Sequence, residues 1–396
     1  MTYTKIILPC RINSGILALG AQSKSSFCFA RGNTAYLSES GGDLSDQENF
    51  KKFERDIMVL QKKLKIKPGI IACDLHPEYT SAKYAYDLVK GGGRRVEKVQ
   101  HHEAHVASCI ADNGIRGNVI GVAFDGTGFG SDGNIWGGEF FTGSIKGLKR
   151  AAHLKYIPMP GGEACIREPW RMAFSYLYSV YGKRRLASLG ELGTSSDIAS
   201  SVASSRPFQG KGGASPAMTD NKDILFQMID KKINSPLTSS VGRLFDGVSS
   251  LIGLCDIAGY EGEAAVRLEK VISGEGWRVK GEYKFKYTEE GEMIIIEWEP
   301  IINSIVKDLK KGIGKSEISL KFHNAMCNMI KEICILLRKK HKINKVCLSG
   351  GVFQNKYISR RIGPILAENG FKAYLHDRIP AHDGGIALGQ AVLAGA

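Results

Sequence analysis

No stretch of this 396-residue chain reaches the roughly eighteen consecutive apolar residues that a membrane-crossing helix needs. The first residues, from Met1 to Ile6, also lack the long apolar core of a secretion signal, so a soluble, cytoplasmic chain with no membrane association is expected. Nine cysteines are present, yet no two are spaced Cys-x-x-Cys. That spacing argues against zinc ribbons and against a disulfide framework. Most of them lie in apolar segments, such as Ile70 to Cys73 and Val346 to Leu348, and are expected to be buried thiols acting as small hydrophobes. The Walker and dinucleotide fingerprints are missing too, because Gly126-Thr127-Gly128 opens no helix and no Gly-Lys-Ser/Thr follows. Acidic residues are the scarcer sign: 40 against 54 lysines and arginines, a net charge of +14. The basic groups are short and scattered, with no basic helix interleaved with aromatics. This pattern argues against a nucleic-acid partner, and an acidic protein or an anionic substrate explains the charge equally well.

What is present reads as α/β. Residues 27–37 predict two short strands joined at Arg31-Gly32-Asn33. Phe50, Phe53, Ile57, Leu60 and Leu64 have helical spacing over 46–65. Strands are expected at 69–73 and 96–99, and helices at 79–90 and 101–113. This alternation predicts a sheet flanked by helices. The pattern restarts at Asn118 to Phe124, turns through a glycine-rich segment and returns along Ile135 to Thr142. Residues 160–275 read as mostly helical, with an exposed loop over Ser195–Pro216. A strand pair around Gly291, a long helix from Ser319, a strand at 345–348 and a helix from near Asn355 follow. Two lobes that each open on a hairpin resemble an actin-like ATPase duplication, although the halves show no similarity in sequence.

Several residues carry candidate chemistry. His101 and His105, four apart on a predicted helix, can offer both imidazoles to one metal ion; spacing alone fits a polar helix face equally well. His102 and His105, three apart, share that geometry. Asp125 ends a strongly apolar strand, where a carboxylate is costly without a partner, and Asp383 occupies a turn before an apolar helix; each also suits a cap or turn. The turns at Gly126-Thr127-Gly128, Gly161-Gly162 and Gly350-Gly351 let the backbone adopt positive φ and approach an anion, and the last precedes a helix start. Glu261 could accept hydrogen bonds from a ribose, or belong to a charged first helical turn. Arg167, Trp170 and Arg171 fit an anion site or a surface ion-pair cluster.

Taken together, Cys73-Asp-Leu-His-Pro77, Val99-Gln-His-His-Glu-Ala-His105, Phe124-Asp-Gly-Thr-Gly128, Trp136-Gly-Gly-Glu-Phe140, Arg167-Glu-Pro-Trp-Arg171, Tyr260-Glu-Gly262, Leu348-Ser-Gly-Gly-Val-Phe-Gln-Asn355 and His382-Asp-Gly-Gly385 resemble the C-terminal domain of HypF, the carbamoyltransferase of nickel–iron hydrogenase maturation. The resemblance runs from about Ile16 to the end. It implies a fold similar to the TsaD/Kae enzymes and to TobZ: an actin-like (ASKHA) duplication of two lobes with a cleft, residues 1–117 and 118–396, the second with a helical insertion over about 160–275. It further implies a divalent metal, usually iron with zinc and magnesium as alternatives, held by His101, His105, Asp125 and Asp383. ATP or carbamoyl adenylate would lie among Gly126, Thr127, Gly128, Gly161, Gly162, Glu261, Gly350, Gly351 and Asn355. His102 would assist proton transfer or orient a ligand. The implied reaction moves a carbamoyl group from carbamoyl adenylate, made from carbamoyl phosphate and ATP, to the C-terminal cysteine of HypE. The acylphosphatase, zinc-finger and YrdC-like parts of HypF have no room before Ile16, so the adenylate is expected from a YrdC-like domain or protein in trans. O-carbamoylation of a small molecule, tRNA modification and a non-catalytic ATP-binding scaffold for HypE are the alternative readings.

Overall fold

The computed structural model describes residues 2–189, 220–272 and 282–396. The expected loop over Ser195–Pro216 lies outside them. The chain divides into two compact units, Met1–Ala152 with Ile330–Ala396, and His153–Met329.

The first unit contains two sheets of the same plan. In one, β1 (Tyr3–Ala18) pairs antiparallel with β2 (Cys28–Ser38). Helix α1 (Gln47–Leu64) then leads to β3 (Ile70–Asp74), parallel to β1, and α2 (Thr80–Val89) leads to β4 (Arg95–Val99), parallel to β3. The strand order is β2-β1-β3-β4, and α3 (His101–Asp112) follows. In the other, β5 (Val119–Phe129) pairs antiparallel with β6 (Ile135–Ser144), which borders β7 (Gly147–Leu154). After the second unit come β12 (Lys345–Ser349), parallel to β5, and β13 (Lys372–Tyr374), parallel to β12. Both sheets contain a hairpin followed by two parallel strands, β2-β1-β3-β4 in the first and β6-β5-β12-β13 within the larger second, the actin-like duplication that the sequence halves conceal.

Residues 27–37 do not form two strands. They are one strand, β2, whose partner is the N-terminal β1; Gly32, at φ 61°, sits opposite Ile12 where the register slips. The turn composition at Arg31-Gly32-Asn33 therefore marks a bulge rather than a reversal.

Alternation along the first sheet sorts its side chains into two cores. Leu17, Phe29, Ile71 and Cys73 face Phe53, Ile57 and Leu60 of α1 and Ala82 of α2. Ile16, Ala18, Ile70 and Ala72 face Ala104 and Ala111 of α3 and the C-terminal helix, Ile386–Gly395. That last helix crosses α3 with no room to spare: a Cβ on Gly389 would lie 2.7 Å from the carbonyl carbon of Ala104, with the oxygen closer still. Gln390 ties it to the first sheet, accepting from Gly20 N at 2.8 Å and donating to Gly20 O at 3.1 Å. The close crossing brings the start of α3 toward the loop that precedes the C-terminal helix.

The second unit carries α5 (Trp170–Leu189), kinked at Gly182, α7 (Val241–Leu251), α8 (Glu263–Lys270) and the hairpin β10 (Lys286–Glu290) with β11 (Met293–Glu297), which turns at Gly291 with φ 63°. Between β7 and α5 lie the two-residue strand β8 (Ile157–Pro158) and the short α4 (Ala164–Arg167); α6 (Asp220–Asp230) and β9 (Leu237–Thr238) precede α7. After β11 come α9 (Glu299–Lys310) and α10 (Lys315–His341), which runs into the first unit. There α11 (Lys356–Glu368) links β12 to β13, and the C-terminal helix is α12. No helix among the described residues is long and apolar enough to cross a membrane. All nine cysteines are free, and all but Cys10 are buried.

Candidate metal centre and nucleotide turns

Helix α3 begins at the carboxyl end of β4, capped by Gln100, whose Oε1 accepts from His102 N at 2.7 Å and Glu103 N at 2.9 Å. The cap points the first turn's imidazoles inward, and His101, His102 and His105 are fully buried. Asp125 extends from β5, and Asp383 opens the short turn before α12. One ligand atom from each of His101, His105, Asp125 and Asp383 lies within 4.8 Å of all the others. His105 Nε2 is 3.2 Å from Asp125 Oδ2 and 3.6 Å from Asp383 Oδ1; His101 Nε2 is 3.4 Å and 3.8 Å from the same atoms.

Burial alone would drive the His101 proton off, but Asp74, Asp125 and Asp383 outweigh it and hold the imidazole well above its ordinary value. His105 is raised by the same contest, with Asp125 and Asp383 overcoming burial. Asp125, though burial pushes it up, is held well below the usual carboxylate range by His101 and His105. The buried carboxylate of Asp125, the partly buried one of Asp383 and two buried imidazole nitrogens converge here. This donor set suits a first-row divalent ion, and buried carboxylates of this kind are otherwise costly. The residues present fit a metal.

The outer contacts are as ordered as the ligands. Asp74 Oδ2 accepts from His101 Nδ1 at 2.8 Å, with both groups fully buried, which leaves Nε2 facing the carboxylates. Ser23 Oγ reaches Asp383 Oδ2 at 3.4 Å, and Gly351 N donates to Asp125 Oδ1 at 3.1 Å. Asp74 stands in the Cys73-Asp-Leu-His-Pro77 motif, where the sequence alone assigns it no role. The available signal was the one that singled out Asp125, an acid ending an apolar strand.

His102 lies beside the cluster. Gln100 Nε2 is 3.3 Å from its Nδ1, and its Nε2 is buried with no hydrogen-bond partner. Burial, with His101 nearby, holds it well below its ordinary value, so it is a neutral imidazole.

The glycine turns take the expected positive φ at Gly161, Gly162 and Gly350 but not at Gly126, Gly128 or Gly351. Gly126 and Thr127 lie within an irregularity of β5 between Phe124, paired with Gly138, and Gly128, paired with Trp136, and the chain reverses later, at Gly133 with φ 80°. Gly128 is needed for space instead: a Cβ there would lie 2.7 Å from His101 Cδ2 and closer to His102 Cε1. Gly350 does have positive φ, 101°, but its N–H donates to Ala381 O at 3.0 Å while that of Gly351 goes to Asp125. These two amides serve the fold, so the glycines offer close approach rather than free donors. Asn355 caps α11, accepting from Ile358 N at 3.0 Å. Gly161 and Gly162, at φ 97° and 56°, and Glu261 belong to the second unit. There Arg171 Nε pairs with Glu168 Oε2 at 2.5 Å and its guanidinium lies over the Trp170 ring.

Comparison with known proteins gives the family. Residues 11–112 match the model of the HypF Kae1-like domain, and residues 121–390 match that of the carbamoyltransferase Kae1-like domain, second subdomain. The chain is 33% identical to carbamoyltransferase HypF of Synechocystis over 97% of its own length and 48% of that protein. It is 30% identical to a HypF homolog of Cupriavidus necator, covering 96% of this chain and 91% of that one. A crystal structure of full-length HypF in the phosphate- and nucleotide-bound form superposes with a TM-score of 0.86 at 36% identity, over 99% of this chain and 47% of that one. The chain thus spans about half the length of most curated relatives it matches. It has the Kae1/TsaD-like form of the actin-like ASKHA fold and belongs to the HypF carbamoyltransferase family, corresponding to its Kae1-like domain.

Proposed function

We propose that this chain transfers a carbamoyl group from carbamoyl adenylate to the C-terminal cysteine thiolate of HypE, with a divalent metal at His101, His105, Asp125 and Asp383. The single observation that carries the reading is the convergence of those four ligand atoms, three from buried residues and one from the partly buried Asp383, within 4.8 Å in a member of this family. A metal bound there supplies Lewis acidity for charge developing on a carbonyl oxygen.

The residues themselves do the positioning. Asp74 holds the His101 ring so that its Nε2 faces the carboxylates, and the Gly351 amide fixes one oxygen of Asp125 so that the other is turned to the histidines. Burial of both imidazoles and of Asp125, with Asp383 only partly exposed, limits how far water screens the charges. The transfer forms a C–S bond as the thiolate attacks the carbamoyl carbon and breaks the C–O bond to the phosphate, with AMP leaving on its electron pair. A thiolate needs no base, so orientation and charge stabilisation suffice. His102, neutral and enclosed, acts as packing behind the ligands rather than as a proton shuttle. ATP binding is proposed by analogy with the nucleotide-bound HypF, and a YrdC-like domain or protein supplies the adenylate.

The test is carbamoyl transfer from synthetic carbamoyl adenylate to purified HypE, read by mass spectrometry of the HypE C-terminal peptide. Wild-type protein is expected to add one carbamoyl group, and His101→Ala and His105→Ala to lose the activity; equal turnover in both variants would refute the metal role. Modification of a small alcohol instead of HypE would move the assignment to O-carbamoylation.

A further inference from the structure

The two sheets of the first unit share one plan, and so do the residues at their equivalent strand ends. Asp74 closes β3 and Ser349 closes β12. Each meets the Nδ1 of one clustered histidine: Asp74 that of His101 at 2.8 Å, and Ser349 Oγ that of His105 at 3.5 Å. On the first side a carboxylate touches the ring directly. On the second, Ser349 Oγ lies 2.8 Å from His376 Nε2, and His376 Nδ1 faces Asp112 Oδ2 at 3.7 Å. Asp112 in turn accepts from the amides of Asp377 at 2.8 Å and Arg378 at 3.2 Å, and from Arg378 Nε at 3.0 Å. Ser349, Asp112 and the side chain of His376 are almost wholly enclosed.

The Asp112 contact is a carboxylate–imidazole approach longer than a hydrogen bond, with His376 Nδ1 buried beside it, while the two Ser349 contacts lie within hydrogen-bond length; such a file has only two directions. Burial keeps His376 neutral despite Asp112, so it carries one ring proton. The carboxylate facing Nδ1 favours the proton there. His376 Nε2 must then accept, Ser349 must donate to it, and the Ser349 oxygen is left to accept from His105 Nδ1–H. Ser349 has another acceptor, Ala381 O, but at 3.5 Å against 2.8 Å, and that carbonyl already receives the Gly350 amide. In the opposite direction His105 would present an N–H from Nε2 to Asp125 and Asp383, which no metal ligand can do.

We propose that Asp112, His376 and Ser349 form an outer relay that fixes His105 with its proton on Nδ1 and its Nε2 free for metal, the counterpart of what Asp74 does for His101 in one step. The three are positioning residues, and their role rests on the metal reading above. Partners of this kind tune metal affinity by about 10–100-fold.

Two measurements test this. Nitrogen-15 NMR of histidine-labelled, metal-free protein should show His376 as the neutral Nδ1–H tautomer; the Nε2–H tautomer overturns the relay whether or not any metal binds. Calorimetric titration with zinc ion should give a Kd weaker by about 10–100-fold in His376→Leu, with His376→Gln, whose amide can donate to Asp112 and accept from Ser349, restored to within a few-fold of wild type. Equal affinity in wild type and His376→Leu, or equal loss in the glutamine and leucine variants, refutes the relay. If His376→Leu does not fold, Ser349→Ala replaces it with the same expectation. Failure of the wild-type protein to bind zinc or ferrous ion refutes the metal reading itself, a result separable from the His376 tautomer.

Discussion

Gly128→Ala adds one methyl group at the point where β5 passes under the clustered histidines. Because Gly128 does not have positive φ, alanine brings no backbone strain, and the whole effect is steric. The new carbon would lie 2.7 Å from His101 Cδ2 and nearer to His102 Cε1. Ordinary contact requires both rings to retreat by about 1 Å, yet both are fully buried and His101 is tied to Asp74. Overpacking of a close-fitted interior costs about 1–3 kcal/mol. The ligand His101 cannot retreat without leaving either Asp74 or the carboxylates, so zinc affinity should fall by about 10–100-fold, as when other orienting groups are disturbed. Denaturant unfolding measures the first quantity and calorimetric zinc titration the second. Gly69→Ala is the control, since an added Cβ there meets nothing within 4 Å. A Gly128→Ala protein with control-like stability and unchanged zinc affinity would show that the rings are not locked against β5, and the positioning argument would fail.

Two further outcomes concern buried charge. Burial pushes Asp112 up, but His376 and the Asp377 and Arg378 amides bring it down to about 2 from an ordinary 3.8. A depressed folded value stabilises above the unfolded pKa and is lost as pH falls, so about 2 kcal/mol should disappear between about pH 5 and pH 1; urea unfolding should show this loss in wild type and a flatter acid limb in Asp112→Asn, and parallel limbs would contradict the assignment. In the second unit, Arg243 Nη2 pairs with Asp246 Oδ2 at 2.9 Å with both side chains 3% exposed. Asp246→Ala strands a buried guanidinium and should cost about 3–5 kcal/mol, whereas Arg243→Met with Asp246→Leu should cost clearly less than the single change; a double variant no better than the single one would refute this.

The sequence was most legible where one residue's neighbours decide its state. Helical spacing located α1 and α3, and the odd, scattered cysteines read as buried thiols because their segments are apolar. Legibility failed where pairing partners are distant. The glycine and asparagine at 32 and 33 have turn chemistry, but β1, whose residues drew no attention, extends past them and converts the turn into a bulge. Gly126 to Gly128 have the composition of a chain-reversing turn, but they stay in β5, where the register slips between Phe124 and Gly128, and the reversal comes at Gly133. At the site, the four proposed ligands could be named, while Asp112, Ser349 and His376 could not. Their connection joins residues 264 and 27 positions apart, and no local pattern carries it.

The central claim is that His101, His105, Asp125 and Asp383 together hold one divalent ion. Calorimetric titration of the full chain with ferrous ion under anaerobic conditions, and with zinc, tests it most directly, comparing wild type with His101→Ala/His105→Ala and with Asp383→Asn. The account predicts one ion per chain in wild type, none in the double-histidine variant and weakened binding in Asp383→Asn. Wild-type protein that takes up no ion, or a double-histidine variant that binds with the same stoichiometry and affinity, would contradict it.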